Sequence, residues 1–218
     1  MSENIAIIDY GSGNLKSAQK ALLRAGNELE TPPNIIVSSN PEIILKADRI
    51  VLPGVGSFAD CKQGLLSIEG IEEILIERVI KQGVPFLGIC VGMQLMADFG
   101  EEKGKHKGLG WISGTVKKIA PKDSKLKIPH MGWNELIFKQ KHVLLKNIDN
   151  GKNGQHAYFV HSYHFEANEK QDIIATCDYG GDITAMIAKD NMVGVQFHPE
   201  KSQALGLKLL ENFLRWQT

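Results

Sequence analysis

The chain has 218 residues, of which 43% are hydrophobic, and its 25 basic side chains balance 25 acidic ones. This length allows one well-packed core or at most two small ones, and the zero net charge excludes a broad field for nucleic acid or anionic lipid. The apolar stretches fall short of the roughly 18 residues that a membrane span needs. Three widely spaced cysteines give no disulfide framework, so we expect a cytoplasmic protein.

The first half of the chain alternates strand and helix patterns. Asn14 is positioned to cap a helix, and two further helices are predicted at 56–66 and 71–83, the second ending at Gly83. Continuous apolar strands between helices are typical of a parallel sheet that is covered on both faces. The predicted strands are 4–9, 34–38, 49–53 and 85–89.

The second half contains strand patterns that follow one another with short turns. Asp190 and Asn191 lie between the last two strands as a hairpin turn would, and 204–216 returns to helical spacing. We therefore expect one domain over residues 1–218: an α/β three-layer sandwich with a mostly parallel central sheet and an antiparallel or mixed extension in the C-terminal half. The predicted strands of this half are 114–119, 134–138, 157–165, 172–180, 182–188 and 192–197.

One cysteine lies between two glycines at the end of an apolar strand, in the stretch GICVG (88–92). This pattern is typical of a nucleophile elbow, a sharp strand-to-helix turn that lifts the side chain off the sheet, with Cys90 in place of serine. A helix that begins there would favour the thiolate, and the N–H of Val91 would point where an oxyanion forms. The alternative is a buried structural cysteine, and we interpret Cys61 and Cys177 as small core or surface residues.

A histidine next to a carboxylate follows a later apolar strand, in the stretch VQFHPEKS (195–202). In an extended backbone, side chains at i and i+2 project the same way, and the proline between them restricts the chain, so His198 and Glu200 are predicted to form a preset pair. A carboxylate in that position holds the imidazole tautomer and stabilises the imidazolium. The alternative is a plain turn after an edge strand.

The loop LPGVGSF (52–58) presents backbone N–H groups at a strand end and could complete an oxyanion hole beside the elbow. It lacks the Lys-Ser/Thr ending of a phosphate-binding loop, so we do not predict nucleotide binding. His161 and His164 would lie on opposite faces of one strand, and the other histidines have no cysteine or carboxylate at ligand spacing. We predict neither a metal nor a cofactor.

The elbow cysteine, the Pro-Gly-x-Gly loop one strand earlier and the late His-Pro-Glu together resemble the class I, triad-type glutamine amidotransferase family over nearly the whole chain. Within that family, the stretches 88–96, 128–136 and 158–165 are most similar to the glutaminase subunits of imidazole glycerol phosphate synthases, which serve histidine biosynthesis. Ser12 lies at a position that varies among these proteins.

The resemblance implies the roles of the reacting groups. Cys90 would be the nucleophile, His198 the general acid and base, and Glu200 the residue that orients the histidine. The oxyanion would be held by the backbone N–H groups of Val91 and, after a peptide flip, of Val55.

The resemblance also implies a glutamine-binding set of Gly56, Gln94 and Glu102. Glu102 would face the ammonium group of the substrate. The alignment is looser beyond Gln94, so Glu101 competes with Glu102 for this role.

A partner is implied as well, because a chain of this length leaves no residues for a second catalytic domain. In the resembled family the partner is a (βα)₈ cyclase subunit, in a one-to-one heterodimer. It receives ammonia through its barrel and converts phosphoribulosylformimino aminoimidazole carboxamide ribotide (PRFAR) to imidazole glycerol phosphate and the aminoimidazole carboxamide ribotide (AICAR). Trp133 could instead pack in the core of its own chain. The predicted docking residues are Asn14, Met131, Trp133, Asn134, Tyr158 and Lys201.

The sequence is also compatible with three other functions. A glutaminase of the same class could serve another acceptor, such as a sugar-amidating synthetase, with the same local chemistry. A non-catalytic regulatory subunit could keep the elbow as a relic, although the complete set of Cys90, His198 and Glu200 argues against this. A hydrolase acting on γ-glutamyl peptides would be active without any partner.

Overall fold

The computed structural model describes residues 2–151 and 154–217. Within these residues the strands are β1 (Asn4–Ile8), β2 (Asn34–Ser38), β3 (Arg49–Gly54), β4 (Phe86–Cys90), β5 (Phe99–Gly100), β6 (His106–Lys107), β7 (Gly114–Lys118), β8 (His130–Glu135), β9 (Ile137–Phe138), β10 (His156–His161), β11 (Tyr163–Ala167), β12 (Ile173–Asp178), β13 (Asp182–Lys189) and β14 (Met192–Val195). The α-helices are α1 (Leu15–Gly26), α2 (Pro41–Leu45), α3 (Phe58–Leu66), α4 (Ile71–Leu75), α5 (Val91–Gln94) and α6 (Gln203–Arg215). A π-helix over Ile76–Lys81 continues α4, and short 3-10 turns cover Val143–Leu145, Lys170–Asp172 and Pro199–Lys201.

The central sheet has eight strands in the order β2-β1-β3-β4-β14-β13-β12-β9. The first five strands are parallel, and β13, β12 and β9 extend them in antiparallel fashion. Two smaller sheets, β10-β8 and β11-β7-β5-β6, complete the C-terminal half. The predicted α/β architecture, with a mostly parallel sheet and an antiparallel extension, is confirmed.

The helices lie on both faces of the central sheet. The step from β1 to β2 runs toward one edge, whereas the steps from β2 to β3 and from β3 to β4 run toward the other, so right-handed crossovers put α1 on one face and α2, α3 and α4 on the opposite face. The packing agrees, because α1 contacts α6, whereas α2 and α3 contact α4. No helix among the described residues is long and apolar enough to cross a lipid bilayer.

The first-half elements lie where the sequence predicts them, with two differences. Asn14 precedes α1, but its side chain accepts no capping hydrogen bond because its backbone ψ of 63° is far from the extended conformation that a cap uses. The short helix α2 was not predicted, although Asn40 caps it by accepting a hydrogen bond from the N–H of Glu42. Gly83 lies just past the π-helix with a φ of +70°, as expected for a helix-ending glycine.

Two predicted strands of the second half are each divided between different sheets. The stretch 134–138 changes sheet at Leu136, so that β8 pairs with β10 and β9 pairs with β12. The stretch 157–165 changes sheet at Ser162, where β10 gives way to β11, which pairs with β7. His161 and His164 therefore lie on two strands, and their predicted placement on opposite faces of a single strand is wrong.

The hairpin predicted at Asp190 and Asn191 joins β13 to β14. Asp190 adopts a φ of +51°, which a tight hairpin turn requires. The Asn191 side chain donates hydrogen bonds to the carbonyl groups of Val79 and Val84, at 2.9 and 2.7 Å. The turn is thereby tied to the chain segment that enters β4, which positions β14 beside β4.

Candidate active site

The nucleophile elbow is formed where β4 ends. Cys90 has φ 54° and ψ −110°, a backbone conformation that residues other than glycine rarely adopt. The flanking glycines permit it: a Cβ on Gly92 would lie 1.7 Å from the carbonyl oxygen of Leu52, and a Cβ on Gly88 would lie 2.7 Å from that of Gly92. The sequence Gly-x-Cys-x-Gly is thus required by close backbone packing on both sides of the cysteine.

The helix after the elbow is shorter than expected. The helix predicted to begin after Cys90 is present, but α5 ends at Gln94 and is a single turn. A helix dipole grows with the number of aligned peptide groups, so one turn contributes little to holding a thiolate. A thiolate at Cys90 would therefore be stabilised mainly by the side chains around the sulfur.

The histidine and the carboxylate are paired in the interior. Nδ1 of His198 donates to Oε1 of Glu200 at 2.9 Å, and both side chains are 3% exposed. The predicted pairing of His198 with Glu200 is present, but the backbone that produces it differs from the prediction. Glu200 lies in the 3-10 turn Pro199–Lys201 and not in extended backbone. Ser202 fixes this turn: its hydroxyl donates to the carbonyl of His198 at 2.7 Å and accepts from the N–H of Tyr158 at 2.9 Å.

The surroundings of His198 favour its charged form. Burial disfavours an imidazolium, but the interactions with Cys90 and Glu200 outweigh burial and raise the pKa of His198 to about 9. Nε2 is buried and has no hydrogen-bond partner of ordinary geometry among residues 2–151 and 154–217. The contact with Cys90 is therefore looser than a well-aligned hydrogen bond, and this nitrogen is free to exchange a proton with a reacting group.

Most of the predicted site residues meet in one cavity. It has a volume of about 340 Å³, which suits a ligand as small as an amino acid. The parallel pairing of β3 and β4 places Gly54 directly opposite Cys90, so the loop after β3 lies beside the elbow. The predicted residues that line the cavity are Val55, Gly56, Cys90, Val91, Gln94, Glu102 and His198.

The backbone N–H of Val55 already has a partner. It donates to the hydroxyl of Ser12 at 3.0 Å, and that hydroxyl also lies 2.6 Å from the carbonyl oxygen of Val55. The Tyr10 hydroxyl donates to the carbonyl of Pro53, two residues before Val55, at 2.7 Å. A second oxyanion donor from Val55 thus requires the loop to change conformation, as the predicted peptide flip would do.

The two candidate glutamates are placed differently. Glu102 lines the cavity, and its Oε2 accepts a hydrogen bond from the N–H of Phe58 at 2.9 Å. Glu101 is not among the residues that line the cavity, and its backbone N–H donates to Val116. Its position favours Glu102 as the carboxylate that faces an ammonium group.

Two buried histidines, His130 and His161, lie 2.9 Å apart, and His161 lines the cavity. Burial lowers the pKa of His130 to about 4 and that of His161 to about 3, so both rings are neutral at pH 7. Nδ1 of His161 donates to the carbonyl of Tyr163 at 2.8 Å, so Nε2 of His161 must accept from Nδ1 of His130, 2.9 Å away. Among the described residues, no group of three His, Cys, Asp or Glu side chains could hold a metal ion.

Four of the predicted docking residues form one surface, which we call the β8–β10 patch: Met131, Trp133, Tyr158 and Lys201. Met131 and Trp133 are 61% and 48% exposed, so the alternative that Trp133 packs in the core is wrong. The Trp133 and Tyr158 rings meet edge to face with centroids 5.5 Å apart, and Nζ of Lys201 lies 5.7 Å from the Tyr158 ring centroid.

The two predicted docking asparagines lie outside this patch or are bonded within the chain. Asn14 is exposed just before α1. The amide nitrogen of Asn134 contacts the carbonyl of Asp178 at 2.9 Å and Nε2 of His130 at 3.3 Å. The structure thus uses Asn134 to support β8 from inside.

Sequence reasoning missed three residues that organise the site: Ser12, Gln196 and Ser202. Gln196 is fully buried, and its Nε2 lies 3.6 Å from the Cys90 sulfur. A lone glutamine in the otherwise apolar strand MVGVQF, two residues before the histidine, was a signal that could have identified it. The two serines gave no such signal, because their partners are backbone groups that are distant in sequence.

With this geometry in place, the chain can be compared with known proteins. The family model for glutamine amidotransferase class I matches residues 6–216. The chain belongs to the class I glutamine amidotransferases, enzymes in which a nucleophile elbow of this kind acts on glutamine.

Curated relatives point to a particular member of that family. The chain is 57% identical over 213 residues to the imidazole glycerol phosphate synthase subunit HisH of Rhizobium meliloti, with 98% of this chain and 99% of the relative covered. It is 56% identical over 213 residues to the subunit of the same name from Rhodospirillum rubrum, with 97% and 98% covered.

Solved structures agree on the fold. PurLQS from Thermotoga maritima superposes with a TM-score of 0.70 at 18% identity, covering 99% of each chain. The glutaminase domain of Trypanosoma brucei CTPS with bound acivicin superposes with a TM-score of 0.68 at 16% identity, covering 100% of this chain and 96% of the other. At these identities the likeness establishes the architecture only.

Proposed function

We propose that residues 1–218 form a single glutamine amidotransferase domain that acts as the glutaminase subunit of an imidazole glycerol phosphate synthase. The identity of 57% to a curated HisH subunit, over essentially the full length of both chains, carries this proposal. The placement of Cys90 and His198 in one cavity, with Glu200 hydrogen-bonded to His198, supports it, because a triad needs a base beside the nucleophile and a group that orients the base. No second acceptor is favoured by a comparable observation.

The first chemical step is attack by Cys90 on the side-chain amide of glutamine. His198 takes up the Cys90 proton as the sulfur attacks, and its pKa, raised to about 9, favours the imidazolium that this transfer forms. Glu200 stabilises the imidazolium through the 2.9 Å hydrogen bond. As the tetrahedral oxyanion collapses, His198 donates its proton to the leaving nitrogen and ammonia departs.

The second step hydrolyses the γ-glutamyl thioester. Water attacks the thioester carbonyl with His198, now neutral, as the general base, and the thiolate leaves as glutamate forms. The N–H groups of Val91 and of a rearranged Val55 hold the oxyanion in both steps. Gly56, Gln94 and Glu102 bind the amino-acid part of glutamine, with the Glu102 carboxylate facing its ammonium group.

Ammonia must reach its acceptor unprotonated. The subunit that holds the acceptor therefore has to dock on the glutaminase, so that ammonia passes between the two sites without entering the solvent. The partner is a (βα)₈ cyclase subunit in a cytoplasmic one-to-one heterodimer, which converts PRFAR to imidazole glycerol phosphate and AICAR. The β8–β10 patch supplies the docking surface, together with the exposed Asn14. Because Val55 is bonded to Ser12 in the free chain, glutaminase activity rises only when the partner has bound.

The test is to measure glutamate release by the chain alone, with a cyclase subunit, and with the cyclase subunit and PRFAR. We expect activity only in the complex. Cys90→Ala should abolish synthesis from glutamine and leave synthesis from ammonium salts intact. Full glutaminase activity without the partner, or no imidazole glycerol phosphate with it, would reject the proposal.

A further inference from the structure

The Cys90 sulfur has a second neighbour that the triad chemistry does not use. Nε2 of Gln196 lies 3.6 Å from the sulfur, within the range of an N–H···S hydrogen bond, and the Gln196 side chain is completely buried. We propose that Gln196 is a further catalytic residue, which donates a hydrogen bond to the thiolate of Cys90. The proposal deepens the proposed function and rests on it for the activity measurements below.

The orientation of the Gln196 amide follows from a chain of contacts that begins at a backbone carbonyl. The carbonyl oxygen of Tyr163 can only accept, so the Gln94 atom 3.0 Å from it must be the amide nitrogen. The same nitrogen lies 3.0 Å from the side chain of Gln196, so the Gln196 atom that faces it must be the oxygen. The NH₂ group of Gln196 is then the part of the amide that faces the sulfur.

Burial makes this donor effective. A flipped Gln196 amide would set one NH₂ group against another and aim an oxygen at the thiolate, and no water could compensate at zero exposure. The donor is prepositioned before glutamine binds, since Gln94 and Tyr163 hold it in place. Because the helix after Cys90 is a single turn, a side-chain donor supplies what a longer helix dipole would otherwise provide.

The sulfur carries charge at two points of the cycle, and Gln196 acts at both. As the sulfur attacks and the Cys90 proton moves to His198, the N–H of Gln196 stabilises the negative charge that forms on sulfur. When water has attacked the thioester, the C–S bond breaks and its electron pair returns to sulfur, where the same N–H group stabilises the leaving thiolate. Gln94 acts as a positioning residue for Gln196 in addition to its proposed contact with glutamine.

The test compares Gln196→Met, which keeps the length and the apolar packing but removes the donor, with Gln196→Glu, which keeps the shape and places an oxygen near the sulfur. Alkylation of Cys90 by iodoacetamide measures the thiolate directly: sulfur forms a bond to carbon, iodide leaves, and the proton stays on His198. We expect alkylation at pH 7 to fall about tenfold in Gln196→Met and further in Gln196→Glu. The rate should recover at alkaline pH, where the thiolate forms without help.

In the complex with the cyclase subunit, kcat for glutamine should fall about 10- to 100-fold while KM changes less than about threefold. Synthesis from ammonium salts should be unchanged, which reports that the variants fold and dock. The matched control is Gln19→Met, because that amide binds the Ile35 carbonyl away from the cavity; it should keep wild-type rates.

Alkylation at the wild-type rate at pH 7 in either folded variant would overturn the assignment of Gln196. This arm needs neither glutamine nor the partner, so it stands even when the proposed function fails. Conversely, a wild-type complex without glutaminase activity would reject the proposed function and leave the alkylation comparison to decide on Gln196.

Discussion

Cys90 shows how much of the site depends on single backbone positions. Its positive φ costs of order 1–2 kcal/mol for a residue with a side chain, so the surrounding packing must impose it. The carbonyl of Leu52 occupies the space where Gly92 would carry a Cβ. The turn that carries Cys90 is therefore held by a contact between β3 and the residues after β4, and that contact is possible only with glycine at position 92.

Gly92→Ala should consequently be among the most damaging substitutions in the chain. With a Cβ 1.7 Å from the Leu52 carbonyl oxygen, β3 and the elbow must separate, and we expect a loss of more than about 3 kcal/mol in the free energy of unfolding. Urea unfolding of Gly92→Ala and of Gly70→Ala provides the measurement. Gly70 has a φ of +69° with open space around it, so its loss should be only about 1 kcal/mol. Equal losses would contradict the clash.

The charge state of His198 can be observed directly. The pKa of about 9 predicts that its ring titrates by NMR near pH 9 in the wild-type chain. Glu200→Gln should move this midpoint to lower pH, because the carboxylate is one of the groups that favour the imidazolium. A midpoint for His198 that is unaffected by Glu200→Gln would show that the pair is not electrostatically coupled.

At the scale of elements, the ribbon of β8 and β10 has two faces with different tasks. One side carries the buried His130 and His161, of which His161 lines the cavity, and the other carries the exposed Trp133 and the half-buried Tyr158. In the register of the ribbon, Trp133 lies opposite Tyr158 and His130 opposite His161. Successive side chains of a strand point to opposite faces, so the same two strands carry the proposed docking surface on one face and a residue of the cavity wall on the other.

Trp133 is the largest exposed aromatic side chain of the β8–β10 patch, and its truncation should weaken binding of the partner without destabilising the fold. We expect Trp133→Ala to weaken association with the cyclase subunit by about 2 kcal/mol, or roughly 30-fold in Kd, while the free energy of unfolding changes by less than about 1 kcal/mol. Isothermal titration calorimetry and urea unfolding measure the two quantities. Leu45→Ala removes a side chain of similar exposure, 42%, from α2 and should leave Kd unchanged. An unchanged Kd for Trp133→Ala would place the interface elsewhere.

The elements of the first half were predictable because each repeats one local rule, an apolar strand followed by an amphipathic helix. The errors have physical causes. Alternation is the same in any strand, so nothing local in 157–165 indicates that the chain leaves one sheet and enters another at Ser162. The capping propensity of Asn14 was overridden by its backbone conformation in the turn before α1.

For the molecule as a whole, buried histidines set the response to acid. An unfolded histidine takes up a proton near pH 6.5, whereas His130 and His161 resist protonation until about pH 4 and about pH 3. Between these values the unfolded chain binds more protons than the folded one, so stability falls as the pH falls. Burial lowers the pKa of His142 and His164 in the same direction.

We therefore expect Tm to drop by about 5–10 °C between pH 7 and pH 5, measured by differential scanning calorimetry. His161→Gln should reduce this dependence on pH, because one of the resisting groups is removed. Gln19→Met provides the control, since it removes no titratable group and should leave the slope as it is in the wild-type chain. A Tm that rises toward pH 5 would contradict the assignment of neutral buried rings.

The site was predictable to the extent that its groups lie in short motifs. The elbow, the glycine loop and the His-Pro-Glu turn each carry a local backbone requirement, and the resemblance to a family related them to one another. The sequence did not predict the roles of Gln196, Ser12 and Ser202. Each of them contacts a partner that only folding brings near, such as the sulfur of Cys90 or the backbone of Val55. Sequence patterns record periodicity well, but they do not record contacts between distant segments.

The strand order also governs when the enzyme becomes competent during its own synthesis. β14 pairs with β4 although more than a hundred residues separate Cys90 from His198 along the chain. A nascent chain emerging from the ribosome thus contains Cys90 long before His198, the proposed proton acceptor, has been translated. Under the proposed function, chains that end before His198 could not hydrolyse glutamine.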